Sequence, residues 1–131
     1  IGLAQGAMEQ AIKYVRKRQQ FGKPLASFQV TQFKIAEMAT LVETARNLTY
    51  KAAWALDRGN PDTQVSAMAK WWASNVAVRV ADEALQLHGG YGYLDDYPIE
   101  RFYRAAKLLE IYEGTKEIQK DVISRRILGI T

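Results

Sequence analysis

The stretch Leu56-Asp57-Arg58-Gly59-Asn60-Pro61 separates two long apolar patterns and decides how they pack. Gly59 suits the position just past a helix end, and Asn60-Pro61 suits an N-cap followed by a first helical residue. Because this turn is tight, the helices on either side are predicted to be antiparallel neighbours. The helix before the turn is predicted from a cap at Ser27, since apolar residues then recur at mostly three- and four-residue steps: Val30, Phe33, Met38, Leu41, Val42, Ala45, Leu48, Ala52 and Leu56.

Helical patterns continue on both sides of this pair. The chain opens with an amphipathic pattern that predicts a helix to about Gln19, before the break at Phe21-Gly22-Lys23-Pro24. The helix after Pro61 is predicted to stop at Gly89-Gly90, and its alanines permit close approach by neighbouring helices. No stretch alternates with period two, so strands are not expected.

Two shorter helices are predicted at the C-terminal end. Pro98 can begin a helix that reaches about Leu109, and Thr115 can cap another that runs to about Leu128. Residues 1–131 are therefore predicted to form one all-α domain, an up-down-up-down four-helix bundle. Its fourth position is filled by a split C-terminal helix pair with Glu113 at the junction.

Composition limits the possible functions. The chain has 131 residues, is 48% hydrophobic and carries a net charge of +4, with basic and acidic residues interspersed, which argues against nucleic-acid binding. It contains no cysteine, so disulfides and thiolate metal sites are excluded. No signal peptide or membrane span is predicted. The chain begins without Met inside an amphipathic pattern, as expected of a domain cut from a longer protein.

The segment Ile111-Tyr112-Glu113-Gly114-Thr115 places a carboxylate at the predicted helix junction. From local sequence alone Glu113 is either an exposed loop carboxylate or a general base. The second interpretation expects Ile111 and Tyr112 to desolvate the carboxylate, because burial raises a carboxyl pKa. Gly114 would allow the backbone to approach a ligand closely.

Two further segments have both a structural and a functional interpretation. Residues Gln86 to Tyr93 contain three glycines within four residues, which suit a helix C-cap and turn or a phosphate-contacting loop. They follow a helix rather than a strand, so a Rossmann or P-loop assignment is excluded. Arg16 and Arg18 either complement a helix dipole or contact a pyrophosphate or flavin edge.

No metal site is predicted. His88 is the only histidine, so there is no histidine cluster for zinc and no support for a serine-histidine arrangement. The acidic residues Asp95, Asp96 and Glu100 are explained by pairing with a helix dipole.

Four segments, in the same order, resemble the C-terminal domain of the acyl-CoA dehydrogenase flavoenzymes. Arg18 to Pro24 looks like the family's R-x-x-F-G-x-P, and Phe28-Gln29 resembles the aromatic-or-His and Gln that follow it. Gln86 to Tyr93 looks like Q-x-x-G-G-x-G-[YF], and Ile111 to Thr115 is identical to I-Y-E-G-T. The resemblance spans essentially the whole chain.

This resemblance implies the chemistry of α,β-dehydrogenation. Glu113 would remove the α-proton of an acyl-CoA thioester while the β-hydrogen leaves as hydride to FAD, giving a trans-2-enoyl-CoA. The thioester oxygen would accept hydrogen bonds from the N–H of Glu113 and from the flavin ribityl chain. Tyr112, Gly114 and Arg125 match positions that border the substrate.

The resemblance also implies FAD-binding residues and partners. The implied FAD contacts are Arg18, Gln20, Phe21, Gln29, Gln86, Gly89, Gly90, Thr115 and Glu117. In the family the earlier positions reach FAD of a neighbouring subunit, whereas Thr115 and Glu117 match positions beside FAD in the same subunit as the base. A homodimer or homotetramer, an electron-transfer flavoprotein or equivalent acceptor, and a prokaryotic cytoplasmic or mitochondrial matrix location follow by resemblance.

Two departures from the family pattern limit what this chain is expected to do alone. The family's R-D-A-K reads Arg104-Ala105-Ala106-Lys107 here, which removes a carboxylate near the Glu113 loop. The N-terminal helical and central β domains, which hold the flavin ring and part of the acyl pocket, are not in this sequence. We therefore expect the fragment to fold without dehydrogenase activity and with FAD absent or weakly bound. The alternative is a non-catalytic helical association module of a flavoprotein relative.

Overall fold

Five α-helices carry the fold of residues 1 to 130, the part of the chain that this computed structural model describes. They are α1 (Gly2–Lys17), α2 (Gln29–Asp57), α3 (Thr63–His88), α4 (Ile99–Leu109) and α5 (Lys116–Leu128). Short 3-10 helices at Leu25–Ser27 and Gly89–Tyr93 precede α2 and follow α3. The prediction of an all-α bundle with a split C-terminal helix pair is confirmed. None of the described helices combines the length and apolarity that a bilayer crossing requires.

Helix α3 lies at the centre of the bundle and contacts each of the other four helices. Ala77, Ala81 and Ala84 on this helix are fully buried, so neighbouring backbones approach closely, as predicted from the alanine pattern. The central position of α3 fixes where α4 and α5 lie. The hydrophobic core consists of Ala4, Ala7, Met8, Ala11, Met38, Val42, Ala45, Val76, Ala77, Val80, Ala81, Ala84, Ile99 and Ala106.

Two predicted N-caps are wrong. Ser27 lies inside the 3-10 turn, where the N–H of Phe28 donates to the C=O of Leu25 at 3.1 Å, and α2 starts after Phe28 without a side-chain cap. Asn60 and Pro61 precede the start of α3, whose cap is Asp62. One carboxylate oxygen of Asp62 accepts from two backbone N–H groups, at 2.9 and 3.1 Å, so it satisfies two of the free donors at the helix end.

The other helix ends agree with the sequence patterns. Gly59 follows the C-terminal end of α2 with a φ of 71°, and Gly89 follows α3 with a φ of 60°. Pro98 immediately precedes α4, and Thr115 caps α5 by accepting from the N–H of Ile118 at 3.4 Å. These ends place residues 110 to 115 between α4 and α5.

A small hairpin follows α1, contrary to the prediction of no strands. The strands β1 (Gln19–Gln20) and β2 (Lys23–Pro24) are antiparallel and too short for alternation to be visible in the sequence. Phe21 and Gly22 at the tip both have positive φ, 53° and 75°, as a tight type I′ hairpin turn requires. Because Gln19 belongs to this hairpin, α1 ends at Lys17 rather than at the predicted Gln19.

Candidate functional site

The junction between α4 and α5 presents Glu113 on a constrained backbone. Glu113 has a φ of 54°, in the left-handed region that non-glycine residues rarely occupy. The two ends of the loop are joined, because the N–H of Lys116 donates to the C=O of Glu110 at 3.2 Å. A conformation of this kind costs roughly 1–3 kcal/mol and persists only where its surroundings hold it, often at functional sites.

The carboxylate of Glu113 is exposed in this chain. Ile111 is 54% exposed and Tyr112 is 43% exposed. The prediction that these two side chains desolvate Glu113 is therefore wrong for this chain, because neither is packed into the core.

The backbone of the loop leaves one donor free beside that carboxylate. The N–H of Tyr112 donates to the C=O of Leu108 at 3.2 Å, whereas the N–H of Glu113 donates to no acceptor among residues 1 to 130. A free N–H next to a carboxylate can polarise a carbonyl oxygen while the carboxylate accepts a proton. The junction thus offers a base and an electrophilic donor on one residue.

A second, buried carboxylate supports the loop. The side chain of Glu110 is 4% exposed and pairs with the ammonium groups of Lys107 at 2.6 Å and Lys116 at 3.5 Å. Burial is the largest influence on the pKa of Glu110 and raises it, but the hydrogen bonds and charges of the two lysines outweigh burial and lower the pKa from its ordinary value. Sequence reasoning missed Glu110, although the three-residue spacing of Lys107 and Glu110 is a recognisable helical ion-pair pattern.

Lys70 holds the same segment from α3. Its ammonium donates to the C=O of Leu109 at 2.5 Å and lies 4.9 Å from the centre of the Tyr112 ring. The first contact satisfies a carbonyl at the C-terminal end of α4, where a cation is favoured. Lys70 was also missed, because the sequence does not indicate that α3 passes beside this loop.

The remaining predicted residues of this half lie in the junction and along α5. The C=O of Gly114 accepts from the side-chain amide of Gln119 at 3.3 Å, and a Cβ at this position would lie 2.5 Å from that amide nitrogen. Glu117 is exposed in the first turn of α5. Arg125 lies farther along α5 and pairs with Asp121 at 2.8 Å, so no contact brings it to Glu113 within the described residues.

Five predicted cofactor residues line a cleft away from the α4–α5 junction. This cleft, of about 420 Å³, is formed where the end of α1 meets the end of α3, and its lining includes Arg18, Gln20, Gln86, Gly89 and Gly90. A guanidinium, two side-chain amides and exposed glycine backbone are suitable donors for an anionic ligand such as a pyrophosphate. The residues present therefore fit the nucleotide part of FAD.

Aromatic side chains form one wall of this cleft. His88 is buried, stacks on Tyr14 with ring centroids 4.2 Å apart, and has Nδ1 2.7 Å from the C=O of Ala84. Burial, opposed by that backbone hydrogen bond, lowers the pKa of His88 and favours the neutral ring. The guanidinium of Arg18 lies 5.1 Å from the centre of the Tyr91 ring. Sequence reasoning assigned none of these rings to the cleft.

Gly92 has a steric role that the sequence motif did not specify. A Cβ on Gly92 would lie 2.8 Å from the C=O of Leu85 and 2.9 Å from Cβ of His88. The third glycine of the loop therefore lets the 3-10 turn fold back onto α3 and holds the cleft wall in place.

Two other predicted cofactor residues lie outside the cleft lining. Phe21 is 91% exposed at the hairpin tip, and Gln29 is exposed at the first position of α2. An aromatic side chain that is exposed to this extent on a left-handed backbone is available to contact another molecule.

The comparison with known families identifies the domain. Residues 1–128 match the family model described as "Acyl-CoA dehydrogenase, C-terminal domain". The chain belongs to the acyl-CoA dehydrogenase family. The four motifs on which the resemblance was based thus come from a member of this family.

Relatives in the acyl-CoA dehydrogenase family include enzymes named for both oxidation and reduction. The chain is 54% identical over 98% of its length to acryloyl-CoA reductase (NADH) from Anaerotignum propionicum. It is 47% identical, over the same share, to the caffeyl-CoA reductase-Etf complex subunit CarC from Acetobacterium woodii. It covers 32% and 34% of these proteins, so the chain spans about a third of the length of the curated relatives that it matches.

Solved structures give the same assignment. Butyryl-CoA dehydrogenase from Megasphaera elsdenii superposes with a TM-score of 0.95 at 49% identity, over 97% of this chain and 33% of that one. A structure described as the FAD complex of PigA superposes with a TM-score of 0.89 at 33% identity, over 98% of this chain and 33% of that one.

Proposed function

We propose that this chain is the C-terminal catalytic and oligomerisation domain of an FAD-dependent acyl-CoA dehydrogenase. The observation that carries the proposal is Glu113, whose carboxylate is exposed and whose N–H is free on a left-handed backbone at the α4–α5 junction. In this function the N–H of Glu113 donates to the thioester oxygen and thereby acidifies the α-carbon. The carboxylate then accepts the α-proton.

The rest of the reaction requires the cofactor and the remainder of the protein. FAD, when bound, supplies the acceptor for the β-hydrogen as hydride, and the product is a trans-2-enoyl-CoA. Tyr112, Gly114 and Arg125 are proposed to border the acyl-CoA. Short-, medium- and branched-chain acyl-CoA and, less strongly, glutaryl-CoA are the substrates proposed.

FAD would be contacted from two places on the domain. Arg18, Gln20, Gln86, Gly89 and Gly90 line the cleft and suit the nucleotide part of the cofactor. The exposed Phe21 and Gln29 would extend that contact, whereas Thr115 and Glu117 would touch FAD beside Glu113. No residue of the α4–α5 junction lines the cleft. Two separate half-sites on one domain support a homodimer or homotetramer in which each domain serves two cofactors.

Partners and location complete the proposal. The name of the Acetobacterium woodii relative includes an Etf complex, which supports an electron-transfer flavoprotein or equivalent acceptor as the redox partner. We place the full-length protein in the prokaryotic cytoplasm or the mitochondrial matrix. Purification of the intact parent chain with its co-purifying partners tests the acceptor.

A second candidate is reduction of a 2-enoyl-CoA, because two relatives at 54% and 47% identity are named as reductases. The same residues serve both directions, since Glu113 would then return the proton to the α-carbon. Assays of the full-length protein with an acyl-CoA plus an oxidant, and with an enoyl-CoA plus a reductant, separate the two directions.

Substitution of Glu113 tests the assignment in the full-length parent protein. Glu113→Gln keeps the size and hydrogen-bonding capacity of the side chain but removes the base, so turnover is expected to fall by at least about 10³-fold while FAD stays bound. Glu43→Gln is the matched control, because Glu43 is an exposed carboxylate on α2 that, among residues 1 to 130, pairs only with neighbours on its own helix.

Unchanged turnover in Glu113→Gln would reject Glu113 as the base. A full-length protein that binds FAD but converts no acyl-CoA or enoyl-CoA would instead support the alternative, a non-catalytic helical association module.

A further inference from the structure

The buried carboxylate of Glu110 joins the two helices on either side of the loop that carries Glu113. Its side chain is 4% exposed, and it accepts hydrogen bonds from Lys107 on α4 at 2.6 Å and from Lys116 on α5 at 3.5 Å. Its own C=O also accepts the N–H of Lys116 at 3.2 Å. Residues 110 and 116 are therefore connected both by their backbones and by their side chains.

The geometry of the intervening loop depends on this double connection. Only five residues span the two ends, and two of them, Glu113 and Gly114, have φ values of 54° and 94°. A non-glycine residue stays in the left-handed region only where surrounding contacts hold it there. The Glu110 contacts and the Lys70 contact to the C=O of Leu109 are the polar side-chain contacts at the α4 end of the loop among the described residues.

Charge balance explains why this arrangement is held. The carboxylate of Glu110 loses almost all contact with water, which costs free energy unless the charge is paired. Two ammonium groups from opposite sides of the loop supply that pairing, and both are still partly exposed, at 55% and 35%. Lys107 alone would pair Glu110 within α4, whereas Lys116 extends the pairing across the junction.

We propose that Glu110, with Lys107 and Lys116, is a positioning group that holds Glu113 in its left-handed conformation. This proposal rests on the proposed function of Glu113 as the base. Ala105 is exposed and carries no polar side chain, so position 105 gives this loop no polar side-chain contact. This group affects the orientation of the base and of the adjacent N–H, and it does not affect substrate affinity.

The test compares Glu110→Gln, Lys116→Met and the control Glu43→Gln in the full-length parent protein. Glu110→Gln removes the charge from the three-residue pair with Lys107, and Glu43→Gln removes it from the equally spaced, exposed pair with Arg46. Because a misplacement of about 1 Å can cost up to about 100-fold in rate, Glu110→Gln is expected to lower kcat by about tenfold or more. KM is expected to change by less than about twofold, with FAD content unchanged, because binding contacts are kept.

Two further measurements isolate the position of the base. Exchange of the α-hydrogen of a bound acyl-CoA with deuterated water reports only the proton-removal step assigned to Glu113. We expect the rate of this exchange to fall in parallel with kcat. Amide hydrogen exchange of Ile111, Tyr112 and Lys116, whose N–H groups donate to backbone carbonyls, is expected to be at least about tenfold faster in Glu110→Gln than in the unmodified protein. Local opening becomes less costly in that variant. Glu43→Gln should change neither quantity.

The outcomes separate the two hypotheses. Unchanged amide exchange at Ile111, Tyr112 and Lys116 of Glu110→Gln, or unchanged kcat, overturns the positioning role. An unmodified parent protein that converts no acyl-CoA or enoyl-CoA overturns the function proposed for Glu113, while amide exchange still decides whether Glu110 holds the loop. If Glu110→Gln does not fold, Lys116→Met decides in its place, since Lys116 is partly exposed and Met keeps its apolar stem.

Discussion

At the scale of single residues, backbone strain and functional assignment coincide. Phe21 and Glu113 are the non-glycine residues with positive φ among residues 1 to 130, and the sequence motifs assign one to FAD and the other to catalysis. The motifs identify these residues but give no indication of their backbone conformation. That conformation depends on the hairpin at one site and on Glu110 at the other, and both require contacts between different elements.

The ion pairing of Glu110 predicts a specific pH dependence of stability. Because the two lysines lower its folded pKa, Glu110 stabilises the fold above its ordinary pKa of 4.5, and this contribution is lost as the pH falls through the lower folded value. Glu110→Gln is therefore expected to reduce the free energy of unfolding by about 1–2 kcal/mol near pH 7. The deficit should shrink below pH 4.5.

Urea denaturation of the 131-residue chain and of Glu110→Gln, at a series of pH values from 7 to about 3, measures this difference. A deficit that stays constant over the whole range would contradict the pairing. Glu43→Gln serves again as the control, since its carboxylate is exposed and its pair contributes little.

At the scale of elements, helix lengths and order follow from periodicity, but the N-caps of α2 and α3 do not. The patterns of α2 and α3 are long enough to be recognised without other information. Gly59, Gly89, Pro98 and Thr115 lie at the helix ends where the sequence predicts them. Ser27 and Asn60 are plausible cap residues in sequence. They are displaced because a 3-10 turn and an extended segment intervene before α2 and α3 begin.

The corrected cap of α3 leads to a paired prediction. Asp62→Ala removes an oxygen that accepts two backbone N–H groups, so it should lower the free energy of unfolding by about 1 kcal/mol. Asn60→Ala should have a much smaller effect, because Asn60 makes no side-chain cap. Thermal unfolding of both variants decides the matter, and a larger loss for Asn60→Ala would restore the cap predicted from sequence.

At the scale of the whole molecule, the bundle contains its own core but only part of the proposed catalytic site. The core residues come from all of the first four helices, which argues that the 131-residue chain folds by itself. The exposure of Glu113, Ile111 and Tyr112 shows that the surface around the proposed base is open within the described residues. The periodic patterns predict the first property, whereas the second depends on packing that the patterns do not encode.

We therefore expect the 131-residue chain to unfold cooperatively with a strongly helical circular dichroism spectrum, yet to lack dehydrogenase activity. FAD should not co-purify in a stoichiometric amount, since this domain supplies only the contacts of its cleft and junction. Circular dichroism and the visible absorbance of the purified chain measure both properties. A flavin band of one FAD per chain would contradict the second expectation.

Helix α3 carries both Lys70, beside the Glu113 loop, and Gln86, in the wall of the cleft. These two residues are 16 apart in sequence, which corresponds to roughly 24 Å along a continuous helix, at about 1.5 Å per residue. The helix therefore fixes the distance between the two half-sites of one domain. If each half-site belongs to a different cofactor, the length of α3 sets the spacing between neighbouring active centres.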